Sequence, residues 1–279
     1  MVTRAIAPGT GPSLLVERSG PVTWLTLNRP HRLNALDQEL LERLSVALEE
    51  ERRSDSCVLV LRGAGRAFSA GHDLSSDADE VASPGDAVDD RERQASYIEL
   101  FLKMWDHPKP LIAAVHGYCI AGAAQMATFA DIVITADDAK ISASPMVPLG
   151  GGFISPLWAF SVGASRAKLM SFVPGRQITG RQAAEWGWAT ESVPAEELTD
   201  HVTRLAAAIA RTPSSVLRMK KIAINRTLEL QGLRLSALMG TETDVVVHNT
   251  AEVVAIKAAI ERDGFQAVQR RFDAGETIR

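Results

Sequence analysis

Cysteine is scarce in this chain: Cys57 and Cys119 are the only two among 279 residues. Two thiols make no disulfide framework, so a reducing cytoplasm is the expected setting. A surplus of positive charge is also missing. Thirty Lys and Arg stand against 34 Asp and Glu, a formal net charge of -4, which argues against broad binding to nucleic acid. The opening MVTRAIAPGTGP holds no apolar stretch long enough for a signal peptide. Internal repeats and low-complexity tracts are absent from the sequence. One long stretch lacks acid altogether: from Ile141 through Ala184 there is no Asp or Glu.

What is present is ordinary for a globular protein, with 46% hydrophobic and 23% charged residues. The length suggests one large domain with an appendage, or about two domains. Leu111 to Ala130 carries no Asp, Glu, Lys or Arg and has the ~20-residue length of a spanning helix. It divides, however, into a buried strand (Leu111–Val115), a turn at His116-Gly117 and an Ala-rich helix, so no membrane span is expected. Strands are expected at 14–18, 22–27, 57–61 and 132–135. A helix follows Asp37, its N-cap, and others cover 97–105 and 166–172 and open at Thr179. Ser75 to Asp90 holds Asp77, Asp79, Glu80, Asp86, Asp89 and Asp90 with no basic residue, which reads as a solvated loop or a lid. From Glu196 the pattern is almost wholly helical. This is an α/β core with a helical C-terminal region.

Two segments could carry chemistry. Gly65-Arg66-Ala67-Phe68-Ser69-Ala70-Gly71-His72-Asp73-Leu74 follows a strand and is dense in small residues, which allow a ligand close to the backbone. His116-Gly117-Tyr118-Cys119-Ile120-Ala121-Gly122-Ala123-Ala124-Gln125 is strand, turn and helix start, where free N–H groups can hold an anion. Either segment alone serves packing as readily as function.

Together they resemble the enoyl-CoA hydratase/isomerase family, the crotonase superfamily. The resemblance runs from about Leu14 to Phe272. It also rests on Asn28-Arg29-Pro30 with Leu33-Asn34-Ala35-Leu36, on Pro108 to Tyr118, on Ala130-Asp131-Ile132-Val133, and on Thr179 to Gly187. It implies a spiral of ββα units over 1–195 and a helical trimerisation region over 196–279, giving a homotrimer or a dimer of trimers. It implies an acyl-CoA thioester as substrate, with coenzyme A present only as part of it, and no permanently bound cofactor or metal. The oxyanion donors it implies are the N–H groups of His72 and Gly122. The CoA contacts it implies are Arg32, Leu33, Ala70, Asp73, Leu74, Arg270 and Arg271.

The sequence departs from the family at the acid/base positions. Hydratases of the family place one glutamate three residues after the oxyanion glycine and a second just after a proline. Here those positions are Gln125 and Met146. An amide accepts no proton at neutral pH, and losing a placed acid or base costs ~10²–10⁴ in rate. The expectation is a weak or atypical hydratase. The alternatives are a non-catalytic acyl-CoA binding subunit, or a thioester hydrolase or isomerase using His72 or His116. Ser142, Ser144 and Cys119 are nucleophiles only with a base beside them. Met146, Val147, Leu149, Phe153, Trp158 and Phe160 suggest an apolar acyl pocket.

Overall fold

The computed structural model describes residues 11–74, 87–150 and 154–278. Along the chain run β1 (Leu14–Ser19), β2 (Val22–Leu27), α1 (Gln38–Glu51), β3 (Val58–Gly63), β4 (Ala67–Ser69) and α2 (Ala87–Trp105). Then come β5 (Leu111–Val115), β6 (Tyr118–Ile120), α3 (Gly122–Thr128), β7 (Ile132–Ala136) and β8 (Lys140–Ser142). Next are α4 (Ile154–Val162), α5 (Ala164–Phe172), β9 (Ile178–Thr179), α6 (Gly180–Trp186) and β10 (Glu191–Val193). Five helices follow: α7 (Leu198–Ile209), α8 (Ser214–Leu230), α9 (Leu233–His248), α10 (Ala251–Asp263) and α11 (Phe265–Asp273).

Two sheets result. The larger has the order β1-β2-β3-β5-β7-β10, the smaller β4-β6-β8-β9. Only β1 runs antiparallel in the first and only β9 in the second. Each of β3, β5 and β7 hands the chain from the large sheet to a three-residue strand of the small one; one helix then returns it after β4 and after β6, while after β8 the chain passes α4, α5 and β9 before α6 leads back to β10. This is a spiral of ββα units. The central strands are covered on both faces, as their unbroken apolar runs require: Leu25, Leu27, Leu59, Leu61, Ile112 and Ile134 are fully buried. Val202 and Ala206 of α7 and Leu233 and Ala237 of α9 join this core. A second cluster packs Val147 and Leu149 against Val253, Ile256 and Ile260 of α10 and Val268 of α11, with Leu74 at its edge.

The helix caps fall where the side chains dictate. Asp37 accepts from the Leu40 N–H at 2.9 Å, and Thr179 and Gln182 form a reciprocal capping box at α6. Three expectations need correction. The Ala-rich helix after His116 begins only at Gly122, because Tyr118–Ile120 pairs as β6 with β4 and β8. The acidic segment is not loop throughout: α2 begins at Ala87, and Asp90 is buried within it. Trp158 lies in the main core, stacked 5.4 Å from Trp188, so it packs the interior, whereas Phe160 is 37% exposed. Asp77, Asp79, Glu80, Asp86 and Phe153 lie outside the described residues. No described helix is long and apolar enough to cross a membrane.

Buried charges pin the frame. Glu51 receives Arg18, Thr23, Ser54 and Ser56. Burial pushes its pKa up, but the hydrogen bonds from Ser54, Arg18, Thr23 and Ser56 outweigh it and hold it at about 2. A folded-state value below the ordinary one stabilises the protein above the ordinary carboxylate pKa and is lost as pH falls toward the folded value. The urea midpoint should therefore drop between pH 7 and pH 3, and drop less in Glu51→Gln. That variant should itself be less stable at pH 7 by about 1–3 kcal/mol.

Candidate active site

Two loops meet at the ends of neighbouring strands β4 and β6. After β4 the chain turns through Gly71, whose φ of +92° suits glycine. There is no room for a side chain: a Cβ on Gly71 would lie 2.6 Å from the Ile120 carbonyl oxygen and 3.4 Å from the Gly122 nitrogen. This close approach sets His72 beside the start of α3. On its other side the loop is tied to the segment after β2. The Leu36 N–H donates to the Gly71 carbonyl at 2.8 Å, and the Asp73 N–H to the Leu36 carbonyl at 3.1 Å. In such a parallel bridge the intervening residue points its own N–H away. The His72 N–H thus faces away from Leu36.

Gly122 is the first residue of α3, after Ala121 in a strained φ +49°, ψ -114° conformation and with no side-chain cap. Its N–H is one of the donors a helix start leaves unused. No described residue accepts a hydrogen bond from the His72 or Gly122 amide. Two converging N–H groups of this kind can hold a developing oxyanion.

The surrounding side chains are unusual. Both ring nitrogens of His72 are buried although the residue as a whole is half-buried, and the ring stacks 4.3 Å from Tyr97 of α2. Neither ring nitrogen has a hydrogen-bond partner among the described residues. Burial, then the positive Arg93 and His248, lower its pKa to about 4, so the ring is neutral at pH 7. Gln125 is 0% exposed, and both its amide oxygen and nitrogen lack partners among the described residues. Buried amides in native proteins are almost always paired. Met146 turns its thioether against Gly175, within 3.8 Å of the Gln177 amide, and offers no proton.

The other expected residues are distributed as follows. The Ala70 N–H donates to the Leu33 carbonyl at 3.0 Å. Asp73 is 5% exposed and takes Arg29 at 2.9 Å, so its carboxylate braces the loop. Leu74 packs on the cluster of α10 and α11. Arg32 and Arg270 are exposed without a salt bridge to any described residue, whereas Arg271 pairs with Asp263 and Glu276.

Three candidate groups are engaged elsewhere. His116 Nε2 is bonded to the Gly65 carbonyl at 2.9 Å. Ser142 donates to the Ser144 carbonyl and Ser144 to the Met170 carbonyl. Burial pushes the Cys119 thiol well above its usual range. A cavity of ≈ 530 Å³ opens between the large sheet and α8, lined by Trp105, Asp131, Trp188, Lys221 and Leu228; of the residues expected at the acyl pocket Phe160 borders it, and none of the expected oxyanion, acid/base or CoA-contact residues does. Among the described residues there is no cluster fit to hold a metal.

Sequence reasoning missed a buried carboxylate–imidazole pair between α2 and α9. Asp90 of α2 accepts from His248 Nδ1 at 2.9 Å, and Asp244 lies one turn before His248 on α9, 1% exposed. The signal was the spacing of Asp90, Gln94, Tyr97 and Phe101, a single helical face that is buried.

This ββα spiral is the crotonase fold. A profile of the family Enoyl-CoA hydratase/isomerase matches residues 17–261. The 1,2-epoxyphenylacetyl-CoA isomerase of Escherichia coli K12 is 36% identical over 212 residues, 73% of this chain and 78% of that protein. An enoyl-CoA hydratase/isomerase from Xanthobacter autotrophicus Py2 matches with TM-score 0.88 and 31% identity, covering 95% of this chain and 99% of that one. An enoyl-CoA hydratase from Mycobacterium smegmatis gives TM-score 0.85 and 34% identity over 94% of each chain. The chain belongs to the enoyl-CoA hydratase/isomerase family.

A Cβ at Gly122 would strike His72 Cδ2 and Nε2, at 2.5 and 2.6 Å. Gly122→Ala should therefore cost about 1–3 kcal/mol by overpacking. Urea unfolding measures it, and an unchanged midpoint would show that the ring moves aside freely.

Proposed function

We propose that this protein binds acyl-CoA thioesters and polarises them through the N–H groups of His72 and Gly122, stabilising an enolate. The observation that carries the reading is the pair of unused amides held together by the Gly71 contact. The enclosed Gln125 amide supports it, since a bound ligand or water would satisfy polar atoms that the fold leaves unpaired. Loss of one such donor costs about 3–4 kcal/mol of barrier.

Hydration is the weaker part of this protein's chemistry on the same reading. Gln125 can orient a water but cannot take its proton, and Met146 can do neither. With crotonyl-CoA as substrate, turnover should fall at least a hundredfold below the ~10 s⁻¹ typical of enzymes. A rate near that median overturns the assignment. A catalytic role for His116 is disfavoured by its bond to the Gly65 carbonyl. The neutral His72 ring can donate a hydrogen bond but is a poor base at pH 7.

Coenzyme A fits the exposed cations. Arg32 and Arg270 would meet the CoA phosphates, and Leu33, Ala70, Asp73 and Leu74 would frame the adenine and pantetheine path, with Arg271 beside them. Phosphate contacts through exposed cations weaken with salt. Arg32→Ala and Arg270→Ala should each raise the Kd for butyryl-CoA and reduce its salt dependence in calorimetric titration.

We also propose that residues 196–279 build a homotrimer, alone or doubled. Large apolar side chains stand in solvent on α5, α8 and α9: Phe172 is 75% exposed, Leu230 90% and Val246 70%. A soluble monomer rarely leaves so many uncovered. Light scattering should give three or six times the 30.1 kDa of the chain, and a monomer at micromolar concentration overturns this assembly.

A further inference from the structure

The positions of the family's two working carboxylates hold Gln125 and Met146, yet an acid–base pair from other elements packs against Gly150, at the end of the Met146 segment. We propose that His248, oriented by Asp90, is the base that moves the α-proton of the bound thioester. The inference rests on the acyl-CoA reading above.

Asp90 and His248 are 158 residues apart and meet because α2 packs along α9. The Asp90 side chain is 3% exposed and that of His248 14%. Asp90 is held by three groups: Arg93, His248 Nδ1 at 2.9 Å, and Gln94 Nε2 at 3.4 Å. Burial raises its pKa; the hydrogen bond and charge of protonated His248, the Arg93 charge and the Gln94 hydrogen bond lower it to about 2, and the Arg93 ion pair and both hydrogen bonds remain when His248 is neutral. It is therefore a carboxylate at every working pH. A carboxylate only accepts hydrogen bonds, so Nδ1 must carry a proton, and the lone pair of neutral His248 is on Nε2.

That nitrogen sits against the segment that lost its glutamate. Gly150 ends the stretch beginning at Pro145-Met146, and a Cβ on Gly150 would lie 2.6 Å from His248 Nε2. The same Cβ would lie 3.3 Å from Asp244 Oδ1. The absence of a side chain at 150 leaves the place that the imidazole fills. His248 also lies within electrostatic reach of His72, whose pKa it lowers. Asp90, Gln94 and Tyr97 form one buried face of α2, so the pair is two turns, ~10 Å along the helix axis, from the Tyr97 ring on which His72 stacks. The groups facing it are Asp90 and Arg93 of α2, Asp244 of α9, His72, and Lys257 of α10, which feels both Asp90 and Arg93.

In the step, His248 Nε2 takes the α-proton. The C–H electron pair forms the Cα=C bond of the enolate, and the negative charge moves to the thioester oxygen, facing the amides of His72 and Gly122. The imidazolium exchanges its proton with solvent and returns one to the α-carbon. No oxidant or second substrate is needed.

Butyryl-CoA in deuterated water is the probe, followed by mass spectrometry for exchange and by calorimetry for binding. The unaltered protein should bind the thioester and incorporate deuterium at the α-carbon. His248→Ala should bind as before and exchange about a hundredfold more slowly, with added imidazole restoring part of the rate. Asp90→Asn can donate to Nδ1 and force the wrong tautomer. It should slow exchange and displace its pH profile, with Asp90→Glu recovering part of the rate. Exchange that is unchanged in His248→Ala overturns the proposal, as does binding by the unaltered protein without exchange. Absence of binding overturns the acyl-CoA reading itself, and the proposal with it.

Discussion

Everything at this site depends on one backbone-on-backbone contact, Gly71 against the Ile120–Gly122 turn. Strands β4 and β6 are parallel neighbours, so their ends begin about 4.8 Å apart. Two amide donors can converge on one oxygen atom only if the loops leaving those strands stay as close. A side chain at position 71 would drive them apart. Glycine also supplies the positive φ by which the chain turns from β4 toward His72.

The cost of holding that geometry is spread over its surroundings. Among the described residues, the three non-glycine positions with positive φ are Leu33, Asn34 and Ala121, all in the two loops or the segment bracing them. Such conformations persist only where the structure over-determines them. Asn34 shows how. It is fully buried, accepts the Arg29 N–H at 2.9 Å, and donates to the carbonyls of Ala64 and Ala67 at 2.8 Å each. One side chain thereby ties the β2 loop to the turn before β4. Arg29 adds Asp37 and Asp73, so the loop bearing His72 is fixed to the N-cap of α1.

Long-range periodicity was legible in the sequence, and so were caps. The runs that became β3, β5 and β7 are predominantly apolar because both faces are covered, and Asp37 and Thr179 announced their helices. The three-residue strands β4, β6 and β8 were not legible. A strand that short shows no alternation, and its pairing is decided by neighbours more than twenty residues away. Asp90 was misread for a similar reason. In sequence it ends an acidic run, and only the helix face it shares with Gln94, Tyr97 and Phe101 shows that it points inward. Of the site itself, motif spacing singled out the two segments that meet at Gly71 and Gly122. It did not single out the Asp90–His248 pair, since nothing local links residues on α2 and α9.

The charge distribution then acquires a physical logic. The segment from Ile141 to Ala184 has no carboxylate, and the His72 ring is neutral, buried at both nitrogens and stacked on Tyr97. Around the two amides the surroundings are therefore poor in mobile charge. An amide dipole acts on a developing negative charge far more strongly there than in solvent. The ionised groups are set back, on α2 and α9, with Asp90 balanced by Arg93 and His248. A glutamate placed directly against the oxyanion would oppose the charge that the amides are arranged to favour. On the proposed assignment, an anion set behind an imidazole supplies a proton acceptor with no carboxylate facing the oxyanion. The C-terminal helices also shape the surroundings of these loops: α9 carries His248, which packs against Gly150, and α10 and α11 pack on Leu74, Val147 and Leu149.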